Sequence, residues 1–245
     1  MTALLRAELV KLRTTRTFVV LAGLAAGLSM LLAGLAAGLA DENTGDIVTE
    51  VFATDLSSIF VLILAIVGIT GEWRHRTITS SLLAEPDRVR FLAAKTLAYA
   101  AAGLVLSLLV CAAITVVGLT VVLVRGLPAP DAGDLLTLYA RGAGVTMLLG
   151  ALGVGIGAVV RNQAVAIVGI FVAAFVVEPA LAALLPDAGR FGPLTVLPTA
   201  VADAPDSGYE SDLLIAPAFA VLAMLAWIGA WFAAGATLLR VRDVD

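Results

Sequence analysis

Ligating and nucleophilic side chains are scarce in this chain. Its one cysteine, Cys111, lies inside an apolar run, so no disulfide can close within the chain and no thiolate metal site can be assembled. Its one histidine, His75, excludes a histidine-cluster metal centre. Lysine occurs only at Lys11 and Lys95. Lys95-Thr96 follows Leu92-Ala93-Ala94, without the glycines or the strand of a phosphate-binding loop, so the chain is not expected to hydrolyse a nucleotide. A Ser/His or Cys/His dyad would have to recruit His75 from a loop, and no recognisable spacing brings it to Cys111 or to a serine. No catalytic residue, cofactor or metal is therefore expected in this chain, and no nucleic-acid partner.

Charge is equally thin. Charged residues make up 14% of the 245, apolar residues 61%, and the mean hydropathy is +1.05. Soluble domains average about a quarter charged and half apolar. A water-soluble fold would need one very large core with almost no polar surface to cover it, and that class is set aside.

What is there is a series of long apolar runs. Approximate spans fall at 17–40, 53–71, 96–124, 142–160, 164–185 and 213–239, giving one membrane domain over 1–245 with no sizeable soluble part. The first run, 24 residues without a charge, supplies about 36 Å of helix at 1.5 Å per residue. It competes with a secretion signal ending near Gly38-Leu39-Ala40, but a signal core is only about 7–15 residues long. Two GLAAG repeats, Gly23–Gly27 and Gly34–Gly38, put small residues four apart and would let another helix approach closely. Gly150, Gly153, Gly155 and Gly157 follow no strand, so they read as packing positions rather than a dinucleotide fingerprint.

Lysine and arginine bias sets orientation. With six spans both termini share one side, and that side carries 12 of the 15 cations; only Arg125, Arg141 and Arg190 fall on the other. The chain is expected N-in and C-in. The stretch Asp41 to Asp55, with five acids and no cation, reads as an outer loop, and Arg125 to Arg141 as an outer Pro/Gly/Asp linker. Ahead of the first span, Leu5, Leu9 and Leu12 share a helix face, which suits an amphipathic helix at the inner interface with its cations toward lipid headgroups.

The polar stretch Gly71 to Lys95 is the strongest functional signal. Arg74, His75 and Arg76 continue the second helix out of the membrane, and Thr77 to Leu83 forms a short amphipathic piece with Ile78, Leu82 and Leu83. Pro86 breaks it, and Asp87 is placed to cap a new helix through Arg88 and Lys95 into span three. The bland reading is a topological loop whose cations meet anionic lipid. Between spans five and six, Gly192 to Ala202 is uncharged, broken by Pro193 and Pro198, and too short to cross; it reads as a re-entrant or interfacial cap, or as a loop packed on the helix ends. Glu178, before Pro179, is an intramembrane carboxylate. It is either functional, paired with a cation such as Arg141 or Arg190, or a cap for the outer helix segment.

At these residues the chain resembles the permease subunits of ABC-2 type transporters. The N-terminal RAELVKLRTTRT is similar to their amphipathic leading helix. Glu72-Trp73-Arg74-His75-Arg76-Thr77, then Pro86, Arg88 and Lys95, resembles their first inner loop, with Asp87 where a serine is common. The Gly-rich fourth span running into Arg161-Asn162-Gln163 resembles their short inner turn, and Glu178 with the proline-broken stretch their outer cap. The resemblance implies an all-α half-transporter in a bacterial plasma membrane, a multi-pass homodimer or heterodimer docked on a separate ABC ATPase dimer that holds the ATP and Mg. It implies an ATPase-coupling set of Glu72, Arg74, Arg76, Thr77, Ile78, Leu82, Leu83, Pro86, Arg88 and Arg161, with Thr77 to Ala84 as the coupling helix. The near absence of charge in the spans suits export of a hydrophobic or amphipathic drug, peptide or lipid-like cargo. A stand-alone secondary carrier using Glu178 and a non-transporting scaffold or immunity protein are the alternatives.

Overall fold

A computed structural model describes residues 2–40, 47–204 and 208–241. The acids Asp41, Glu42 and Asp46 and the cation Arg242 lie outside the described residues. The helices are α1 (Thr2–Thr14), α2 (Arg16–Leu39), α3 (Ser57–Arg74), α4 (Ile78–Ala84), α5 (Arg88–Val124), α6 (Ala132–Val160), α7 (Gln163–Val172), α8 (Glu178–Leu184), α9 (Pro186–Gly189), α10 (Val196–Ala202) and α11 (Pro217–Val241). Six helical stretches are long and apolar enough to cross a membrane: α2, 48–74 containing α3, α5, α6, the α7–α8 pair and α11. The chain is a multi-pass membrane protein on that evidence.

At the centre α3, α5 and α6 pack with almost no space between backbones. A Cβ on Gly150 would stand 2.6 Å from the Tyr99 carbonyl oxygen, and one on Gly103 2.7 Å from that of Thr146, so α5 and α6 meet through paired glycines. Gly153 faces Leu62 and Ala65 of α3, while Gly155, on the other side of α6, faces Trp231 of α11. Gly150, Gly153 and Gly155 are packing positions read from the sequence; Gly103 is not among those. Of the GLAAG glycines only Gly34 meets another helix, its Cβ position 3.3 Å from Val117 Cγ1 of α5. Cβ atoms on Gly23, Gly27 and Gly38 would have nothing within 4 Å, and α2 lays Ala25, Ser29, Ala33 and Ala37, one per turn, into the bundle.

Several boundaries differ from the sequence reading for local reasons. Asp131 accepts hydrogen bonds from the Gly133 and Asp134 amides, so α6 starts inside the expected linker and takes in 132–141. Asp87 caps α5 through Val89 and Arg90. The fifth span swells into a π turn over Ala173–Val177 just before Pro179, whose ring and missing N–H disturb the preceding turn. Helix α11 begins at Pro217 rather than 213.

The largest difference is in the second span. Only Ser57–Arg74 is α-helical; a π turn at Val48–Phe52 and non-helical backbone at 53–56 precede it. Asp55, expected in an outer loop, sits at that break and reaches into the bundle. Its carboxylate accepts from Ser57 N (2.8 Å), Ser57 Oγ (2.8 Å) and Ser107 Oγ (2.7 Å), and Cys111 Sγ stands 3.8 Å away.

Candidate functional site

Four charged side chains meet where α1, α3 and α5 converge. Glu72 lies in the last turn of α3 on the same stripe as Ala65 and Ile69, and Lys95 lies on the buried stripe of α5 with Phe91, Ala98 and Ala102. Their helical spacing therefore carries both side chains inward, to 3% and 1% side-chain exposure. The Lys95 ammonium is 2.8 Å from Glu72 Oε1 and 2.7 Å from Glu8 Oε2, and it lies 5.3 Å above the Phe91 ring. Lys11, one turn after Glu8 on α1, donates to the same Glu72 oxygen. The buried pair, Glu72 and Lys95, is thus matched charge for charge, with Glu8 and the half-exposed Lys11 at its edge. Glu72 Oε2 is buried without a hydrogen-bond partner.

Burial works against the charge on Lys11, but the hydrogen bond and the attraction of Glu72, joined by Glu8, outweigh it and raise its pKa above the usual lysine value. A cavity of about 320 Å³ opens beside the cluster, lined among others by Thr15, Phe18, Gly68, His75 and Tyr99. The Tyr99 hydroxyl fills the niche left by Gly68, where a Cβ would overlap it.

The arrangement has no nucleophile poised against a base. What it can do is mechanical: it ties both ends of the α3–α5 loop to each other and to α1. Leu12, Ile78, Phe91, Leu92 and Leu239 close an apolar cluster around the same junction. Arg88 donates to the Leu239 carbonyl and Arg161 to that of Leu238 at 2.9 Å, while the Arg161 guanidinium stacks 4.1 Å from the Trp73 ring. Both described ends of the chain thus reach the same end of the bundle.

The ten expected coupling residues divide into two groups. Glu72 and Ile78 are buried, Leu82 packs against the core, and Arg88 and Arg161 are half-buried and bonded to α11, so these five hold the loop in place instead of presenting it. Arg74, Arg76, Thr77, Leu83 and Pro86 are exposed, Leu83 at 78%; of these Leu83 and Pro86, with Thr79, Leu82 and Arg88, line a small groove beside α4. The sequence singles out neither Glu8 nor Lys11 and offers Lys95 only as a loop cation, because a single charge near a loop reads as solvated. The available signal was their register with the apolar stripes.

Glu178 is buried at the far end and spends its lone pairs on one segment. It accepts from the amides of Leu194 (2.8 Å) and Thr195 (2.7 Å) and from Thr195 Oγ1 (2.7 Å), to which Tyr209 also donates. The cations expected to pair with it are engaged elsewhere, Arg141 with Asp203 at 2.7 Å and Arg190 with Asp187 at 3.2 Å. Of the two readings of this residue, the geometry is that of a cap. It holds the turn into α10, whose Leu197, Ala200 and Val201 are buried against α6 and α11.

Compared with known protein-family models and with curated proteins, the chain matches none.

Proposed function

We propose that the chain is the membrane-spanning permease subunit of an ATP-driven exporter of the ABC-2 type, oriented with α1 and α4 toward the cytoplasm of a bacterial cell. The observation that carries the reading is the Glu8–Lys11–Glu72–Lys95 cluster, in which Glu72 and Lys95 are buried and Lys11 closes the solvent side. A short exposed helix, α4, is slung between two spans whose feet are locked together by charge, so a push on α4 moves α3, α5 and α1 as one body. That is what a motor acting from outside the chain requires: a rigid handle on a bundle with two arrangements. On this reading ATP and Mg bind a partner ATPase dimer, and a second permease copy or relative completes the membrane part, as the resemblance implies. The cargo class is hydrophobic or amphipathic.

The test is co-purification of the tagged full chain with the ATPase encoded beside it, comparing wild type with Leu83→Asp. The substitution changes only an exposed apolar side chain on α4. Loss of the ATPase with an unchanged melting temperature supports the reading. Equal recovery, or transport by the chain reconstituted alone, sinks it.

A further inference from the structure

We infer that the break in the second span forms a binding site for an organic ammonium group, with Asp55 as its counter-ion. Irregular backbone at membrane depth persists only where it is buried in protein or lines a cavity, and here it does the latter. Asp55 and the neighbouring Ser58 face a cavity of about 280 Å³, closed on other sides by Phe52, Tyr139, Val145 and Thr199.

The depth follows from the partners. Ser57, next to Asp55, contacts Thr146, which lies midway along α6, fourteen residues from either end. Ser107, which donates to Asp55, is close to the middle of α5. The carboxylate therefore stands inside the packed bundle, in the outer part of the 48–74 span. A charged group within a span is costly unless it is paired or hydrogen-bonded. Among the described residues no lysine or arginine nitrogen comes within 4.0 Å of it; Glu8, Glu72 and Asp203 each have a cation, and Glu178, which has none, instead accepts three hydrogen bonds from Leu194 and Thr195.

Capping α3 through the Ser57 amide accounts for one oxygen, Oδ1. It does not account for the cavity beside the carboxylate, or for the second oxygen, which accepts from the Ser57 and Ser107 hydroxyls and has no cation among the described residues. The space exceeds what a bare metal ion needs, and its walls mix hydroxyls with Phe52 and Val145. An ammonium head on a small apolar body matches both features. That the site serves transport rests on the exporter reading; the binding itself does not.

The assay uses the purified full chain in nanodiscs of phosphatidylcholine and phosphatidylglycerol, with radiolabelled phenethylammonium as probe and empty discs as background. Saturable binding is expected, not displaced by the neutral analogue 2-phenylethanol and at least tenfold weaker in Asp55→Asn. Thr199→Trp, which fills the cavity from α10, is expected to abolish it. Weaker probe binding in discs containing phosphatidylethanolamine would make a lipid headgroup the natural source of the ammonium; unchanged binding would make it a free amine.

Four results overturn the proposal: no saturable binding, equal displacement by the alcohol, wild-type binding in a folded Asp55→Asn or Thr199→Trp protein, or displacement by sodium where choline is inert. Should Asp55→Asn fail to fold, the alcohol comparison and Thr199→Trp decide. No ATPase is present, so failure here leaves the docking test untouched, and the reverse holds too.

Discussion

Lys95 and Glu72 face each other at 2.8 Å across the foot of the bundle, each almost wholly removed from solvent, one at the exit of α3 and the other at the start of α5. The loop between them is thereby closed at its base by an ion pair that water cannot screen. Removing one partner of such a pair leaves an uncompensated buried charge, which costs about 3–5 kcal/mol. Lys95→Met is expected to lower the detergent melting temperature sharply, Glu72→Gln less so because its neutral amide can still accept from an ammonium. The swap Glu72→Lys with Lys95→Glu should recover part of the loss; a double variant no better than the sum of the singles would refute the pairing.

Docking of α1 depends on Lys11 being charged. Its pKa is raised in the folded protein by Glu72 and Glu8 against the opposing effect of burial. A group with a raised folded pKa contributes its stability fully below its unfolded value, near 10.5, and loses it as pH climbs through the folded value. Proteolysis at Arg6 or Arg13 should thus stay slow from neutral pH to about the ordinary lysine range and accelerate only above it. Acceleration already at neutral pH would argue against the contact.

At the α5–α6 crossing the obstacle to a side chain is backbone, which cannot swing aside. Gly150→Val would place atoms against the Tyr99 carbonyl and is expected to cost about 1–3 kcal/mol or more by overpacking. Gly23→Val, with nothing within 4 Å, should leave the melting temperature of the same preparation unchanged.

Glu178→Gln removes the charge from three accepted hydrogen bonds, and hydrogen bonds to charged groups contribute about 1.5–3 kcal/mol each. Faster hydrogen exchange confined to 192–202 is the expected result, with transport slowed but its pH profile retained. A lost pH dependence would restore the proton-carrier reading of this residue.

Much of this protein is written in composition and period. Six apolar runs, the scarcity of cysteine, histidine and lysine, the proline breaks and the Asp87 cap are local facts, and local chemistry is enough to make helices of them. The partners of the buried charges are not local. Lys95 reads as one more basic loop residue until α1 and α3 bring Glu8 and Glu72 to it, and Asp55 reads as a loop acid until Ser107 and Cys111 of α5 receive it. Glu178 likewise needed the fold to show which donors surround it. Apolar burial is a property of a segment and is legible along the chain. The fate of a charge is decided by whatever stands opposite it, and only the packed structure says what that is.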